Sequence, residues 1–259
     1  MNLKLTNKVI LISGGAKGIG AAIAKTVAYE GAFPVIIGRN EQDNKLFIKE
    51  LNQLNLKADY VTAELNEEKS SAEAVYQVLK RYGRIDGLVN NAGVNDGVGL
   101  ASGSYEAFVA SLHKNVVHYY LLAHFALPAL IKSQGAIVNI GSKTAETGQG
   151  GTSGYAASNG ARNALTREWA VELLDAGIRV NSVIVAEAYT PLYETWINTF
   201  DHPEEKLSAI NACIPLGNRM TKVEEIADMV AFLLSERSGH TTGQLIHVDG
   251  GYVHLDRAL

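Results

Sequence analysis

The feature that most constrains this chain is a regular alternation between short apolar runs and longer segments with helical periodicity, which continues along nearly its whole length. The apolar runs, such as residues 8–13 and 33–38, are rich in isoleucine and stop at glycines. Strands that are apolar on both faces are typical of a parallel sheet covered by helices on both sides. We therefore predict a single-domain α/β fold of the Rossmann type, with a doubly wound parallel sheet, over residues 1–259.

The periodicity also predicts where the individual elements lie. Strands are expected at residues 8–13, 33–38, 59–63, 86–90, 135–140, 178–185 and 244–248. Helices are expected at residues 19–30, 46–54, 67–82, 105–132, 154–176 and 223–235. Residues 186–217 are too long for an ordinary connection, and we predict that they form an irregular lid or binding loop over a substrate.

Composition argues against several classes of function. The net charge of −4 gives no reason to expect a nucleic-acid partner. No segment approaches the roughly 20 apolar residues that cross a bilayer, and no signal-peptide pattern begins the chain, so we expect a cytoplasmic protein without membrane contact. Cys213 is the single cysteine, which excludes an intrachain disulfide. No HExxH-type pair of histidines occurs, and we expect no metal site.

A glycine-rich turn follows the first predicted strand. Glycines permit a tight turn and a close approach of backbone N–H groups to phosphate, and the helix N-terminus adds partial positive charge. Such turns are common in loops without ligands, but this position in an alternating chain favours dinucleotide binding. The candidate cofactor contacts in this turn are Ser13, Gly14, Lys17, Gly18, Ile19 and Gly20.

Together with three later motifs, this turn resembles the short-chain dehydrogenase/reductase family. Residues 90–93 (Asn-Asn-Ala-Gly) end the fourth predicted strand, Asn115 lies on the long predicted helix, and Ser142 precedes Tyr155 by 13 residues. The resemblance implies a nicotinamide-dependent oxidoreductase in which Asn115, Ser142 and Tyr155 serve catalysis. It also implies further cofactor contacts from Asn91, Ala92, Gly93, Tyr155 and Thr190.

The end of the second predicted strand bears on the choice of dinucleotide. An acidic residue there would bind both ribose hydroxyls and favour NAD, but this chain has Arg39. Arg39 and Lys17 can pair with a 2′-phosphate, so we predict NADP, with NAD possible. The alternative is that both are ordinary solvated cations. Glu64 and Leu65, after the third strand, are expected to flank the adenine.

The resemblance reveals one departure at the catalytic helix. The family carries a lysine four residues after the tyrosine, where its charge lowers the tyrosine pKa and its ammonium binds the ribose, but this chain has Asn159. Asn159 can hydrogen-bond the ribose without supplying charge. Three explanations remain open: natural loss of activity, a variant position, or a substitute cation such as Lys143. Arg162 is expected on the outer face or at a subunit contact. If activity was lost naturally or position 159 is a variant position, Asn159→Lys is predicted to raise turnover by on the order of 10²-fold.

Several segments narrow the resemblance to bacterial L-fucose dehydrogenases, among them residues 91–97, 142–150, 186–193 and the tail at 254–259. The resemblance implies oxidation of the anomeric carbon of L-fucose, or a related aldose, to a lactone. Ser142 would hold the C1 oxygen and Tyr155 would take its proton. The remaining candidate sugar contacts are Asn95, Lys143, Gln149, Glu187 and Trp196.

Alternatives remain open on three points. Glu187 can instead pair with a nearby cation such as Lys143. The whole chain can be a dinucleotide-binding protein without turnover, since Asn159 removes a catalytic charge. The resemblance further implies a homo-oligomer, either a tetramer or a dimer, joined through the helices that carry Asn115 and Tyr155.

Overall fold

The computed structural model describes residues 1–255 and contains a seven-stranded sheet in the order β3-β2-β1-β4-β5-β6-β7. All neighbouring strands are parallel. The strands are β1 (Val9–Ser13), β2 (Phe33–Gly38), β3 (Asp59–Thr62), β4 (Gly87–Asn90), β5 (Ala136–Ser142), β6 (Arg179–Val185) and β7 (Leu245–Val248). The predicted doubly wound sheet is confirmed. The tail motif at 254–259 lies mostly outside the described residues.

Helices connect the strands on both sides of the sheet. They are α1 (Gly18–Tyr29), α2 (Glu41–Gln53), α3 (Glu68–Tyr82), α4 (Tyr105–Leu112), α5 (His118–Ser133), α6 (Ser153–Glu172), α7 (Pro191–Ile197), α8 (Pro203–Ala212) and α9 (Val223–Leu234). Within the described residues, no helix combines the length and the apolar character that a bilayer crossing requires.

The core is divided into two halves by the sheet. Ile10 and Ile12 of β1 pack in the same cluster as residues of α1 and α9, whereas Leu11 belongs to the cluster formed with α3, α5 and α6. Successive side chains of a strand point to opposite faces, so a strand buried on both sides must be apolar at every position. Trp169 of α6 is part of the second half and is 7% exposed, which fits a packing role.

One prediction about the elements was wrong, and another is refined by the structure. The helical stretch expected at 105–132 is present, and a π-helical turn at His113–Val117 within it separates α4 from α5. The segment 186–217 is not irregular, because it contains α7 and α8. Thr190 caps α7 by accepting a hydrogen bond from the Tyr193 N–H at 3.2 Å, and Pro191 occupies the first turn. These are ordinary helix-start signals, which the length of the segment obscured.

The sheet order places a topological switch between β1 and β4. Connections leave these two strands toward opposite faces of the sheet, so their carboxyl ends diverge and leave a crevice. The loops after β1, β4 and β5 all open into this crevice, and they carry most of the residues that the sequence singled out.

Candidate active site

Reciprocal hydrogen bonds join the loops on the two sides of the switch point. The Ser13 hydroxyl accepts hydrogen bonds from the backbone N–H groups of Asn91 and Ala92, at 2.9 and 3.1 Å. The Asn91 amide in turn donates to the carbonyls of Ser13 and Gly14, at 3.0 and 3.2 Å. Ser13 and Asn91 therefore fix the glycine-rich turn against the loop after β4.

The glycine-rich turn has the geometry of a phosphate cradle. Gly14 has a φ of +64°, and a Cβ on Gly20 would lie 2.2 Å from the Gly14 carbonyl oxygen. Helix α1 begins at Gly18 with no side-chain cap from Lys17 and no acidic residue in its first turn. Its first N–H groups therefore remain available to an anion, and the residues present fit a dinucleotide.

A cleft of about 780 Å³ extends from this turn along the carboxyl ends of the strands. Thirteen of the predicted catalytic and cofactor residues line it: Gly14, Lys17, Gly18, Ile19, Arg39, Glu64, Leu65, Asn91, Ala92, Gly93, Ser142, Tyr155 and Thr190. The other four predicted catalytic and cofactor residues lie behind this lining: Ser13, Gly20, Asn115 and Asn159. Helix α7 borders the cleft through Leu192, Tyr193 and neighbouring residues, so the predicted lid segment adjoins the site.

Charges of both signs lie at the end of the cleft where Arg39 is exposed. Lys17 Nζ lies 2.7 Å from Asp43 Oδ2, an acidic residue of the first turn of α2 that sequence analysis missed. Arg39 and Glu64 also line a second recess of about 720 Å³ together with Lys45. The charge of Lys17 is thus partly balanced, which leaves Arg39 as the principal cation at this end.

Ser142 and Tyr155 lie on different elements at the other end of the cleft. Ser142 ends β5, and its hydroxyl accepts a hydrogen bond from the Thr144 hydroxyl at 3.1 Å. Tyr155 lies in the first turn of α6, and both side chains line the cleft. A hydroxyl donor and a phenol that line the same cleft can bind a substrate oxygen and exchange a proton with it.

Asn115 lies within the π-helical turn and is fully buried. Its side-chain carbonyl accepts a hydrogen bond from the Val94 N–H at 2.8 Å, and its amide donates to the Ser111 carbonyl at 3.0 Å. Asn115 therefore supports the loop after β4 from behind and does not face the cleft. π-Helical turns recur at functional sites, and this one presents the Asn115 backbone carbonyl to the Arg162 side chain.

Asn159 is also fully buried and does not belong to the lining of the cleft, where the resemblance implies a contact with the ribose. Its amide donates to the Tyr155 carbonyl at 2.9 Å, and its side-chain oxygen accepts from Arg162 Nη1 at 3.0 Å. Both ends of the side chain are occupied by the protein, and the cleft is lined by Arg162 in its place.

The prediction for Arg162 was wrong, because the side chain is 3% exposed and points inward. Its Cζ lies 4.3 Å from the centroid of the Tyr119 ring and 5.9 Å from that of the Tyr155 ring. Positions 155, 159 and 162 are spaced four and three residues apart, so they share one helix face. That spacing is the signal that would have placed Arg162 beside the tyrosine.

Neighbouring titratable groups stay neutral around this guanidinium. Burial, and secondarily the charge of Arg162, lowers the pKa of His118 to about 3. His118 Nε2 lies 3.0 Å from the Lys114 carbonyl, which can only accept, so Nε2 carries the proton. Burial raises the pKa of Tyr119 to about 12. Arg162 therefore carries the positive charge at this place, because a guanidinium remains protonated in proteins.

The predicted sugar contacts are dispersed. Lys143 and Glu187 form an ion pair with side chains 10% and 14% exposed, which confirms the alternative that they pair with each other. Lys143 Nζ also lies 3.9 Å from the centroid of the Tyr252 ring. Asn95 and Gln149 are exposed on loops, and none of these residues lines the cleft itself.

Trp196 is 41% exposed and belongs to an aromatic row on α7 and the residues that follow it. Its ring centroid lies 5.1 Å from those of Tyr193 and Phe200, in edge-to-face contacts. Burial and the Glu187 carboxylate raise the pKa of Tyr193. The row therefore forms the apolar border of the polar region around Glu187.

One cluster beside the site was not anticipated. His247 Nε2 lies 3.1 Å from Glu146 Oε2, and His254 Nε2 lies 4.0 Å from the same carboxylate. The residues come from the loop after β5, from β7 and from the chain beyond it, so no sequence spacing could have indicated their approach.

Comparisons with known proteins agree on one family. A family model described as enoyl-(acyl carrier protein) reductase matches residues 14–253. The 3-oxoacyl-(acyl-carrier-protein) reductase of Thermotoga maritima is 36% identical over 253 residues, covering 97% of this chain and 100% of that protein. The L-fucose dehydrogenase of Mus musculus is 32% identical over 249 residues, covering 96% and 89%. The crystal structure of Cj0485 dehydrogenase matches with a TM-score of 0.94 and 44% identity, covering 100% of this chain and 99% of that one.

Proposed function

Because the chain belongs to the short-chain dehydrogenase/reductase family, we propose that it oxidises the anomeric hydroxyl of an aldose such as L-fucose to a lactone, with a nicotinamide dinucleotide as hydride acceptor. The observation that carries the sugar assignment is the largely buried pair of Lys143 and Glu187, which directly follow Ser142 and Ala186 of the cleft lining. Charged side chains next to the cleft lining can also exchange hydrogen bonds with the hydroxyls of a polyol, whereas an acyl chain offers no such groups.

The residues divide the reaction between them. The glycine-rich turn and the loop after β4 would hold a nicotinamide dinucleotide, which would supply the acceptor for the hydride of the anomeric carbon. Ser142 donates a hydrogen bond to the C1 oxygen, and Tyr155 accepts the proton of the C1 hydroxyl, so the C1–O bond becomes the lactone carbonyl. The Ser13–Asn91 bonds and the Asn115 side chain hold the loops that border the cofactor. The mouse L-fucose dehydrogenase supports this substrate class by its similarity over most of both chains.

The proposal includes a preference for NADP over NAD. Arg39 is exposed at the end of β2, where its guanidinium can pair with a 2′-phosphate in bidentate geometry. Lys17 contributes less, since Asp43 already pairs with it.

Initial rates test the proposal directly. With L-fucose and related aldoses as substrates, we expect NADP to be reduced. The absorbance of the reduced nicotinamide measures the rate. A 3-oxoacyl thioester with NADPH is the competing substrate, because the Thermotoga relative acts on that class by name. Faster turnover of the thioester than of every aldose would refute the sugar assignment. Dinucleotide binding without turnover of either substrate class would favour the non-catalytic alternative.

A further inference from the structure

Arg162 is a buried cation with no carboxylate partner among the described residues. It is 3% exposed, and none of the ion pairs within residues 1–255 includes it. An unpaired buried charge is costly, so a fold retains one only where other groups stabilise it.

Neutral oxygens hold the guanidinium in a fixed orientation. Nε donates to the Asn115 carbonyl at 2.7 Å, and Nη1 donates to the Ile140 carbonyl at 3.1 Å and to Asn159 Oδ1 at 3.0 Å. These acceptors come from the π-helical turn, from β5 and from α6. A planar guanidinium can satisfy all three at once, which a lysine ammonium on a flexible stem cannot do in the same geometry.

The remaining nitrogen, Nη2, has no hydrogen-bond partner although it is buried. Arg162 lines the same cleft as Tyr155, Ser142 and Gly93. A Cβ on Gly93 would lie only 2.8 Å from Nη2, so the glycine leaves the space into which this nitrogen points. An unpartnered charged donor at a cleft wall indicates that its acceptor belongs to a bound molecule or to a group that becomes negative during the reaction.

The groups that face Arg162 leave Tyr155 as its reactive neighbour. His118 and Tyr119 approach from α5 and Tyr155 from α6, and the first two remain neutral at physiological pH. Lys143, the other candidate cation, is engaged by Glu187. Lys114, which also lines the cleft, is paired with Asp96 at 3.4 Å. Arg162 Cζ lies 5.9 Å from the centroid of the Tyr155 ring, within the range in which its charge can offset negative charge on the tyrosine.

We propose that Arg162 takes over the role of the missing lysine. It stabilises the negative charge that develops on Tyr155, and its Nη2 donates a hydrogen bond to a ribose hydroxyl of the dinucleotide. The role of Arg162 toward Tyr155 rests on the proposed dehydrogenase function. Its contact with the dinucleotide does not, since cofactor binding is measurable without turnover. Asn159 is then a positioning residue, because it holds Nη1 and does not enter the cleft. The departure at position 159 and the arginine at position 162 form one compensated pair.

Two variants test the inference. Arg162→Met removes the charge and all donors, whereas Arg162→Gln removes the charge and retains an amide donor. We expect both to lower turnover by about 10²-fold, the usual contribution of acid–base assistance. We also expect the acidic limb of the pH–rate profile to move to higher pH and NADPH to bind several-fold more weakly, as followed by the fluorescence of the reduced nicotinamide. Arg167→Met, at an exposed position of the same helix, is the matched control and should leave all three unchanged.

Two outcomes would decide against the inference, and a third would separate it from the proposed substrate. If Arg162→Gln unfolds at the wild-type temperature yet keeps the wild-type pH profile and NADPH affinity, Arg162 has no role in the site. If only stability falls in both variants, the side chain is structural. If the wild type turns over no aldose but binds NADPH, and Arg162→Gln weakens that binding, the proposed substrate fails while the cofactor contact stands.

Discussion

Arg162 Nη1 lies 3.0 Å from Asn159 Oδ1, with both side chains buried beneath the wall of the cleft. The contact joins the residue that departs from the family pattern to the nearest cation behind Tyr155. Since the Asn159 amide also donates to the Tyr155 carbonyl, the three residues form one connected unit on α6. The asparagine thus has a defined structural task, which a lysine at that position could not perform.

Restoring a lysine alone is therefore expected to harm the protein. In Asn159→Lys, Arg162 loses an acceptor and gains a like charge in a buried space, which raises the cost of keeping both groups charged. We expect turnover to fall by about 10-fold or more, in place of the 10²-fold gain that the sequence alone predicts. The double variant Asn159→Lys/Arg162→Val should recover activity, and kcat of the single and double variants measured side by side checks this. A gain in the single variant would contradict the compensated pair.

The preference for NADP over NAD should shift in opposite directions in two variants, one at Arg39 and one at Asp43. Arg39→Ala removes the bidentate partner for a 2′-phosphate, so we expect kcat/KM for NADP to fall by about 10-fold or more while that for NAD changes little. Asp43→Asn frees Lys17 from its ion pair and should shift the ratio further toward NADP. Lys45→Ala, at a residue of the adjoining recess, is the control. Equal losses with both cofactors in Arg39→Ala would oppose the assignment.

The sheet, the helices and the phosphate turn could be predicted because their determinants are local. A strand buried on both faces must be apolar, and a tight turn against Gly14 requires a small residue at Gly20. The inward position of Arg162 was not predicted, since it depends on acceptors from β5 and the π-helical turn. The acidic partner of Lys17 was missed for the same reason. Only the folded chain brings these contacts together, although helical spacing alone relates Asn159 to Arg162.

A stability prediction concerns the end of α9. Arg179, at the start of β6, donates to the carbonyls of Leu233 and Ser235 at 2.7 and 3.0 Å, and so caps the helix C-terminus with a cation. Arg179→Met should lower the free energy of unfolding by about 2–4 kcal/mol, because several charge-assisted hydrogen bonds are lost together. Urea denaturation measures this. Arg237→Met, at an exposed position nearby, should change it by no more than about 1 kcal/mol.

Acid should destabilise the fold through His118. Its pKa is lowered from 6.5 to about 3 in the native state, so between these values the unfolded chain binds a proton that the native protein does not. The free energy of unfolding then falls as pH decreases below about 6.5, with a slope of up to about 1.4 kcal/mol per pH unit from this one group. Urea titrations between pH 4.5 and 7.5 measure the slope. It should decrease in His118→Gln and persist in His124→Gln, a change at an exposed histidine of the same helix.

Glu187 distinguishes a sugar subsite from a purely structural ion pair. Glu187→Gln leaves the Lys143 ammonium nearly buried without its carboxylate, so the free energy of unfolding should decrease by about 3 kcal/mol. If the carboxylate also accepts hydrogen bonds from sugar hydroxyls, KM for L-fucose should rise by about 10-fold or more, while KM for NADP stays constant. Glu194→Gln, at an exposed residue of α7, is the control for both measurements. An unchanged sugar KM together with the loss of stability would mean that Glu187 only balances Lys143, and the substrate's hydroxyls would then have to be bound by residues of the cleft lining.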